Sequence, residues 1–218
     1  FHLEGIKLLQ CNTDGIYIYV DKTKIPKVES ICDDWCTMTG LKLDLEYFDK
    51  LYQRDVNSDI GVMAKGKVYK KGAFRTEKEI HEDSSMKIVP MALEQHFLYN
   101  VDYREYIKGV KDINPFMLGI RLKNKLDTLE ERYLDDTKTK IEVAGHKKAV
   151  RYYVSKSGNG FYKVMGRSGD VTRIHDGFKC KNANDLSTVM REDIDESFYI
   201  QEVEKITSLF HTQQYKLF

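Results

Sequence analysis

The chain has 218 residues, 41% of them hydrophobic and 32% charged, enough apolar material for one large or two small packed domains. Its formal net charge of +1 gives no bulk electrostatic argument for nucleic acid, so any basic surface must be local. No apolar run reaches the roughly 20 residues of a membrane span, and Phe1-His2-Leu3-Glu4 does not open a signal peptide.

The first stretch with a clear pattern is Leu8-Leu9-Gln10-Cys11-Asn12-Thr13-Asp14-Gly15-Ile16-Tyr17-Ile18-Tyr19-Val20. Two apolar runs flank a polar break, which predicts a buried hairpin with Asp14 at its tip. A carboxylate there is either a turn former or a metal ligand. Pro26 suits the first turn of a helix. Val28, Ile31, Cys32, Trp35 and Met38 give that helix one apolar stripe, with Gly40 as its C-cap and Trp35 read as core. Cys32 and Cys36 lie one turn apart with no second Cys or His pair near them at zinc spacing. Together with Cys11 and Cys180 they read as free thiols in a reducing compartment.

Leu41-Lys42-Leu43-Asp44-Leu45-Glu46-Tyr47 alternates with period two and predicts a strand with Leu41, Leu43, Leu45 and Tyr47 inward. Its other face carries Lys42, Asp44 and Glu46, either solvated or adding carboxylates near Asp14. A mixed polar stretch over 51–59 holds Tyr52, Arg54 and Asn57, and reads as an Arg-containing loop. Ile60 to Ala64, the turn Lys65-Gly66-Lys67 and a return over 68–74 form a hairpin. Lys65, Lys67, Lys70, Lys71 and Arg75 make it the densest basic cluster in this part of the chain, interleaved with Tyr69 and Phe74. Each cation could neutralise one phosphate; an ordinary solvated hairpin face is the alternative.

Composition turns polar over 76–86, which is read as a domain boundary. Ser84 or Ser85 is expected to N-cap a helix over Ile88, Ala92, Leu93, His96 and Phe97, and a second helix spans 102–110. Short strands follow over 117–122, 128–134, 147–156, 161–165, 171–174 and 177–180, with a terminal helix over 194–210. No Walker or Rossmann glycine loop and no nucleophile elbow is present.

This order of parts resembles the C-terminal portion of a family B DNA polymerase of the phage type, in which the second half of the palm is followed by the thumb. That family carries Asp-Thr-Asp-Ser between two apolar strands, and its second Asp binds the catalytic metals. Asp14 falls on that position, while Asn12 and Gly15 depart from the pattern. Leu43-Asp44-Leu45-Glu46 looks like the family's acidic strand after the palm helix. Tyr52-Gln53-Arg54-Asp55-Val56-Asn57 takes the place of the loop that touches the primer–template duplex. Val68-Tyr69-Lys70-Lys71-Gly72 resembles the basic strand that follows, and 85–97 resembles the start of the thumb. The likeness is strongest over 8–75, fair over 84–116 and thin beyond 120.

The resemblance implies an α+β fold: an antiparallel palm sheet with a packed helix over 1–80, then a helical and β-rich thumb-like region over 81–218. The latter holds a small β subdomain at about 118–182 and the terminal helix 194–210. It implies a DNA-directed DNA polymerase, a nucleotidyltransferase of DNA replication that uses two Mg2+ ions. Asp14 would be the catalytic metal ligand, with Asp44 and Glu46 as auxiliary metal ligands. Tyr52, Arg54, Asn57, Lys67, Lys70, Lys71 and Arg75 would contact the duplex, mainly at phosphates. Partners would be primer–template DNA, deoxynucleoside triphosphates and the N-terminal remainder of the polymerase, in the cytoplasm of an infected bacterial host and away from membranes. The second metal-ligand set and the triphosphate-binding helix have no counterpart in this sequence. They are expected N-terminal to Phe1, which starts almost directly into a strand, so the 218 residues alone are expected to be inactive. A non-catalytic nucleic-acid-binding module with a degenerate palm, and an unrelated α+β domain, stay open as alternatives.

Overall fold

A computed structural model describes residues 5–13, 15–77, 86–122, 124–132, 141–144 and 149–210, the backbone alone for 141–144. Strands β1 (Ile6–Cys11) and β2 (Ile16–Val20) form the expected antiparallel hairpin, with a register shift between Leu8 and Gln10. Asn12 closes the turn. Its N–H donates to the Gly15 carbonyl at 3.0 Å, and its Oδ1 accepts from the Gly15 N–H at 2.8 Å. Helix α1 (Ile25–Thr39) has Pro26 in its first turn and stops at Gly40, whose φ of 69° is left-handed and whose N–H donates to Cys36 O.

Burial of this segment is where expectation and structure part. No residue of α1 is buried, Trp35 is 36% exposed rather than core, and Met38 is 78% exposed. Leu8 and Ile16 of the hairpin are also exposed. Residues 41–47 form no strand: Leu41, Leu43, Leu45 and Tyr47 all face out along an irregular segment. Alternation makes a strand only where a neighbouring edge takes its backbone hydrogen bonds. Here the ladders begin at Phe48. The Tyr47 hydroxyl ties the segment to α1 by donating to Glu29 at 2.6 Å.

Strands β3 (Phe48–Asp55), β4 (Ser58–Met63) and β5 (Val68–Lys70) form an antiparallel sheet in that order. The stretch expected as an Arg-containing loop is therefore the first hairpin of a sheet, turning at Val56-Asn57. A 3-10 turn (Gly72–Phe74) follows; a Cβ on Gly72 would lie 2.1 Å from the Asn57 carbonyl oxygen, so only glycine fits. One face of this sheet packs on helix α2 (Ile88–Tyr99), with the rings of Tyr52 and Phe97 5.0 Å apart. The N-cap of α2 is Lys87, without a side-chain cap; the expected Ser84 and Ser85 lie outside the described residues. Asn100 ends the helix in left-handed geometry. Asp102 caps α3 (Tyr103–Gly109) by accepting from the N–H groups of Arg104 and Glu105.

Strands β6 (Leu118–Arg121), β7 (Thr128–Arg132), β8 (Ile141–Ala144), β9 (Ala149–Ser155), β10 (Gly160–Val164), β11 (Val171–Ile174) and β12 (Lys179–Asn182) build two antiparallel sheets. Their orders are β11-β10-β7-β8 and β12-β9-β6. The turn at 157–159 thus carries the chain from one sheet to the other. Helix α4 (Glu196–Thr207) packs through Phe198, Tyr199 and Val203. The Tyr199 hydroxyl donates to Phe116 O at 2.7 Å and accepts from the Val154 N–H. The fold is α+β, and one core runs from Ile60 and Phe74 through Leu93, Phe116, Val154 and Phe161 to Tyr199. That core crosses the boundary read at 76–86, whereas before Ile60 it holds no fully buried apolar residue and only Tyr52 packs against it.

Asp193, in the 3-10 turn just before α4, links β9 and β12. Its carboxylate accepts from Tyr153 (2.8 Å), Ser155 (2.9 Å), Ser157 (2.6 Å) and Lys181 (2.9 Å). Burial by itself would raise its pKa, but the hydrogen bonds from Ser157, Lys181, Tyr153 and Ser155 outweigh burial and hold it well below the usual carboxylate range. Asp193→Ala is expected to cost about 3 kcal/mol at pH 7. Because the folded pKa is depressed, the contribution is full above the unfolded value of about 3.9 and fades as pH falls toward the folded one. Urea unfolding of both proteins should show the gap narrowing below about pH 4; a pH-independent gap would mean the carboxylate charge is not what stabilises.

Candidate nucleic-acid interface

Asp14 lies outside the described residues; its neighbours Thr13 and Gly15 are exposed at the hairpin end. Asp44 and Glu46 sit on the irregular exposed segment rather than on a strand. Asp44 is 3.4 Å from Lys42, with both side chains in solvent. Among the described residues no group of three or more His, Cys, Asp or Glu gathers in a way that could hold a metal ion.

The basic residues separate by face and by end of the β3–β4–β5 sheet. Tyr52 and Lys70 share the row facing α2, because Tyr52 pairs with Ile60 and Ile60 with Lys70. Lys70 is committed inward: its ammonium is 2.6 Å from Glu94 of α2, and both side chains are largely buried. Tyr52 and Lys70 thus hold the sheet to the helix, a role hidden in sequence because the partner is 24 residues away. At the β3–β4 turn, Arg54 donates to Asp55 (2.6 Å) and to Ser58 Oγ (3.0 Å). Lys71 donates to the Val56 carbonyl at 3.1 Å, and Asn57 is exposed at the turn itself. Arg75 is half-buried just beyond the 3-10 turn. Lys65 and Lys67 are exposed at the opposite end, in the β4–β5 turn, roughly 20 Å away along a six-residue strand. The cluster is therefore two basic ends joined by a sheet.

The residue that sequence reading passed over is Asp59 on β4. It is fully buried, and neither carboxylate oxygen has a hydrogen-bond partner among the described residues. Burial raises its pKa, Lys71 opposes that and Asp55 adds to it. An Asp directly before Ile60-Gly61-Val62 was the available signal. The four cysteines are all free thiols: Cys11 is exposed, Cys32 and Cys36 are half-buried, and burial pushes Cys180 up to about 12.

No family model, no curated protein and no solved structure matches this chain. No described helix is long and apolar enough to cross a membrane.

Proposed function

We propose that the chain is the palm-and-thumb portion of a phage-type family B DNA-directed DNA polymerase, working on primer–template DNA and deoxynucleoside triphosphates in the cytoplasm of an infected bacterium. The observation that carries this reading is the order of parts. A hairpin whose connecting sequence contains Asp14 is followed by a helix, a basic three-stranded sheet and a helical pair. Asp14 would hold Mg2+ together with carboxylates from the N-terminal remainder of the enzyme. When bound, the ions would supply Lewis-acid stabilisation of the transferring phosphoryl group. The bare apolar side of the hairpin, α1 and the 41–47 segment supports the reading, since such a surface suits cover by another part of a larger protein. Lys67, Arg54, Asn57 and Lys71 would meet phosphates from the two ends of the sheet, with Arg75 nearby.

The test is primer extension and duplex binding by the full-length protein. Extension with Mg2+ and nucleotides is expected, with duplex affinity falling steeply as salt rises. Lys67→Ala should lower the salt slope by about 1. Lys70→Ala should instead lower stability, because it strips Glu94 of its buried partner. Binding without extension would favour a non-catalytic module, and neither binding nor extension would leave an unrelated α+β domain.

A further inference from the structure

We propose that Asp59 anchors a buried cation site between the β1–β2 hairpin and the β3–β4–β5 sheet, taking an oxygen-coordinated cation of calcium or sodium size. Three buried polar atoms in this layer have no hydrogen-bond partner among the described residues: both carboxylate oxygens of Asp59 and the amide Nε2 of Gln10. They belong to one run of side chains. Asp59 faces Gln53 directly across the β3–β4 ladder. A cross-strand pair projects to the same side of a sheet. The Gln53 amide in turn hydrogen-bonds the Gln10 amide of the hairpin. A second tie between hairpin and sheet is the contact of Tyr17 of β2 with Phe48 of β3, whose ring centroids are 6.4 Å apart.

A side-chain amide's nitrogen and oxygen are distinguished only by the partners they find. Exchanging them on both Gln10 and Gln53 preserves the bond between the two. It also turns the orphaned buried atom of Gln10 into a carbonyl oxygen. Two carboxylate oxygens and one amide oxygen then stand unpartnered in the same layer, a hard donor set of charge −1. An ionised carboxylate left bare in the interior is strongly unfavourable unless a cation meets it. Lys71, whose charge acts on Asp59, makes no hydrogen bond to its carboxylate and donates to the Val56 carbonyl at 3.1 Å. Calcium accepts a bidentate carboxylate and amide carbonyls in flexible geometry, whereas magnesium holds its waters and demands an octahedron. A layer between packed strands with no solvent exposure at Asp59 suits the former. The bound ion would fasten the hairpin to the sheet, independently of whether the protein is a polymerase.

The experiment is thermal unfolding of the full chain in chelator-treated choline chloride, titrated separately with CaCl2, NaCl and MgCl2, with calorimetry for stoichiometry. Calcium or sodium at about 100 times its Kd should raise the midpoint by about 5 °C, with one ion bound per chain. The shift should vanish in Asp59→Asn, persist in Asp14→Ala, and need about ten-fold more ion in Gln10→Ala. If Asp59→Asn does not fold, Gln10→Ala decides, because Gln10 lies in a hairpin outside the core. The proposal is overturned if none of the three ions shifts the midpoint, as for a protonated Asp59. It is also overturned if Asp59→Asn keeps the shift, if Asp14→Ala loses it, if Gln10→Ala leaves the affinity unchanged, or if magnesium is preferred.

Discussion

On the polymerase reading proposed above, Asp14→Ala in the full-length protein is expected to lower nucleotide incorporation by about a thousand-fold or more while leaving primer–template affinity within about two-fold. The asymmetry follows from where each energy is spent. A carboxylate at a two-ion centre acts on charge that develops during phosphoryl transfer, a contribution of several kcal/mol, and each 1.36 kcal/mol is ten-fold in rate. Duplex affinity comes from phosphate neutralisation by lysines and arginines, to which an added acid contributes little or slightly unfavourably. Asn12 bears on the same point. Its side chain is engaged in the turn, accepting from the Gly15 N–H at 2.8 Å, so it shapes the hairpin end. Single-turnover incorporation and equilibrium binding on the same preparation separate the two effects. Normal incorporation by Asp14→Ala would end the polymerase assignment, and a parallel loss of binding would make Asp14 a structural residue.

The elements themselves were largely legible in the sequence because their signals are local. The Asn12 turn, Gly40 at the end of α1, Asn100 at the end of α2 and Asp102 at the start of α3 each act within a few residues of their own position. What each element packs against was not legible. The apolar stripe of α1 reads like any core-facing helix, yet no described element covers Trp35 or Met38. The alternation over 41–47 supplied faces for a strand but no edge to pair with. At the candidate interface the difficulty was the same. Lys70 and Tyr52 look like the other basic and aromatic residues of the hairpin, and only the register with Ile60 and the approach of α2 turn them inward. Asp59 shows it most sharply: its face of the sheet is set by pairing with Gln53, and the amide that Gln53 meets belongs to a hairpin more than 40 residues upstream.

Phe74→Ala is expected to destabilise the chain by about 3–5 kcal/mol, lowering the midpoint by roughly 10 °C for a protein of this length. Phe74 is fully buried, with ring neighbours Phe97 of α2 at 5.9 Å and Phe210 after α4 at 6.0 Å. It comes from the segment before the polar stretch at 76–86, and both partners come from after it. Removing the ring therefore opens a cavity where two parts of the chain meet, so the whole transition should shift rather than one part of a biphasic melt. A split melt, with only one phase moved, would mean the two parts unfold separately despite the shared core. Met38→Ala is the informative contrast. Its side chain is largely in solvent, so in these 218 residues the effect should stay within about 0.5 kcal/mol. In the full-length protein the same substitution should cost about 2 kcal/mol or more if the apolar side of α1 is covered there. Equal, small effects in both proteins would mean that this face stays open and that the N-terminal remainder does not pack on it.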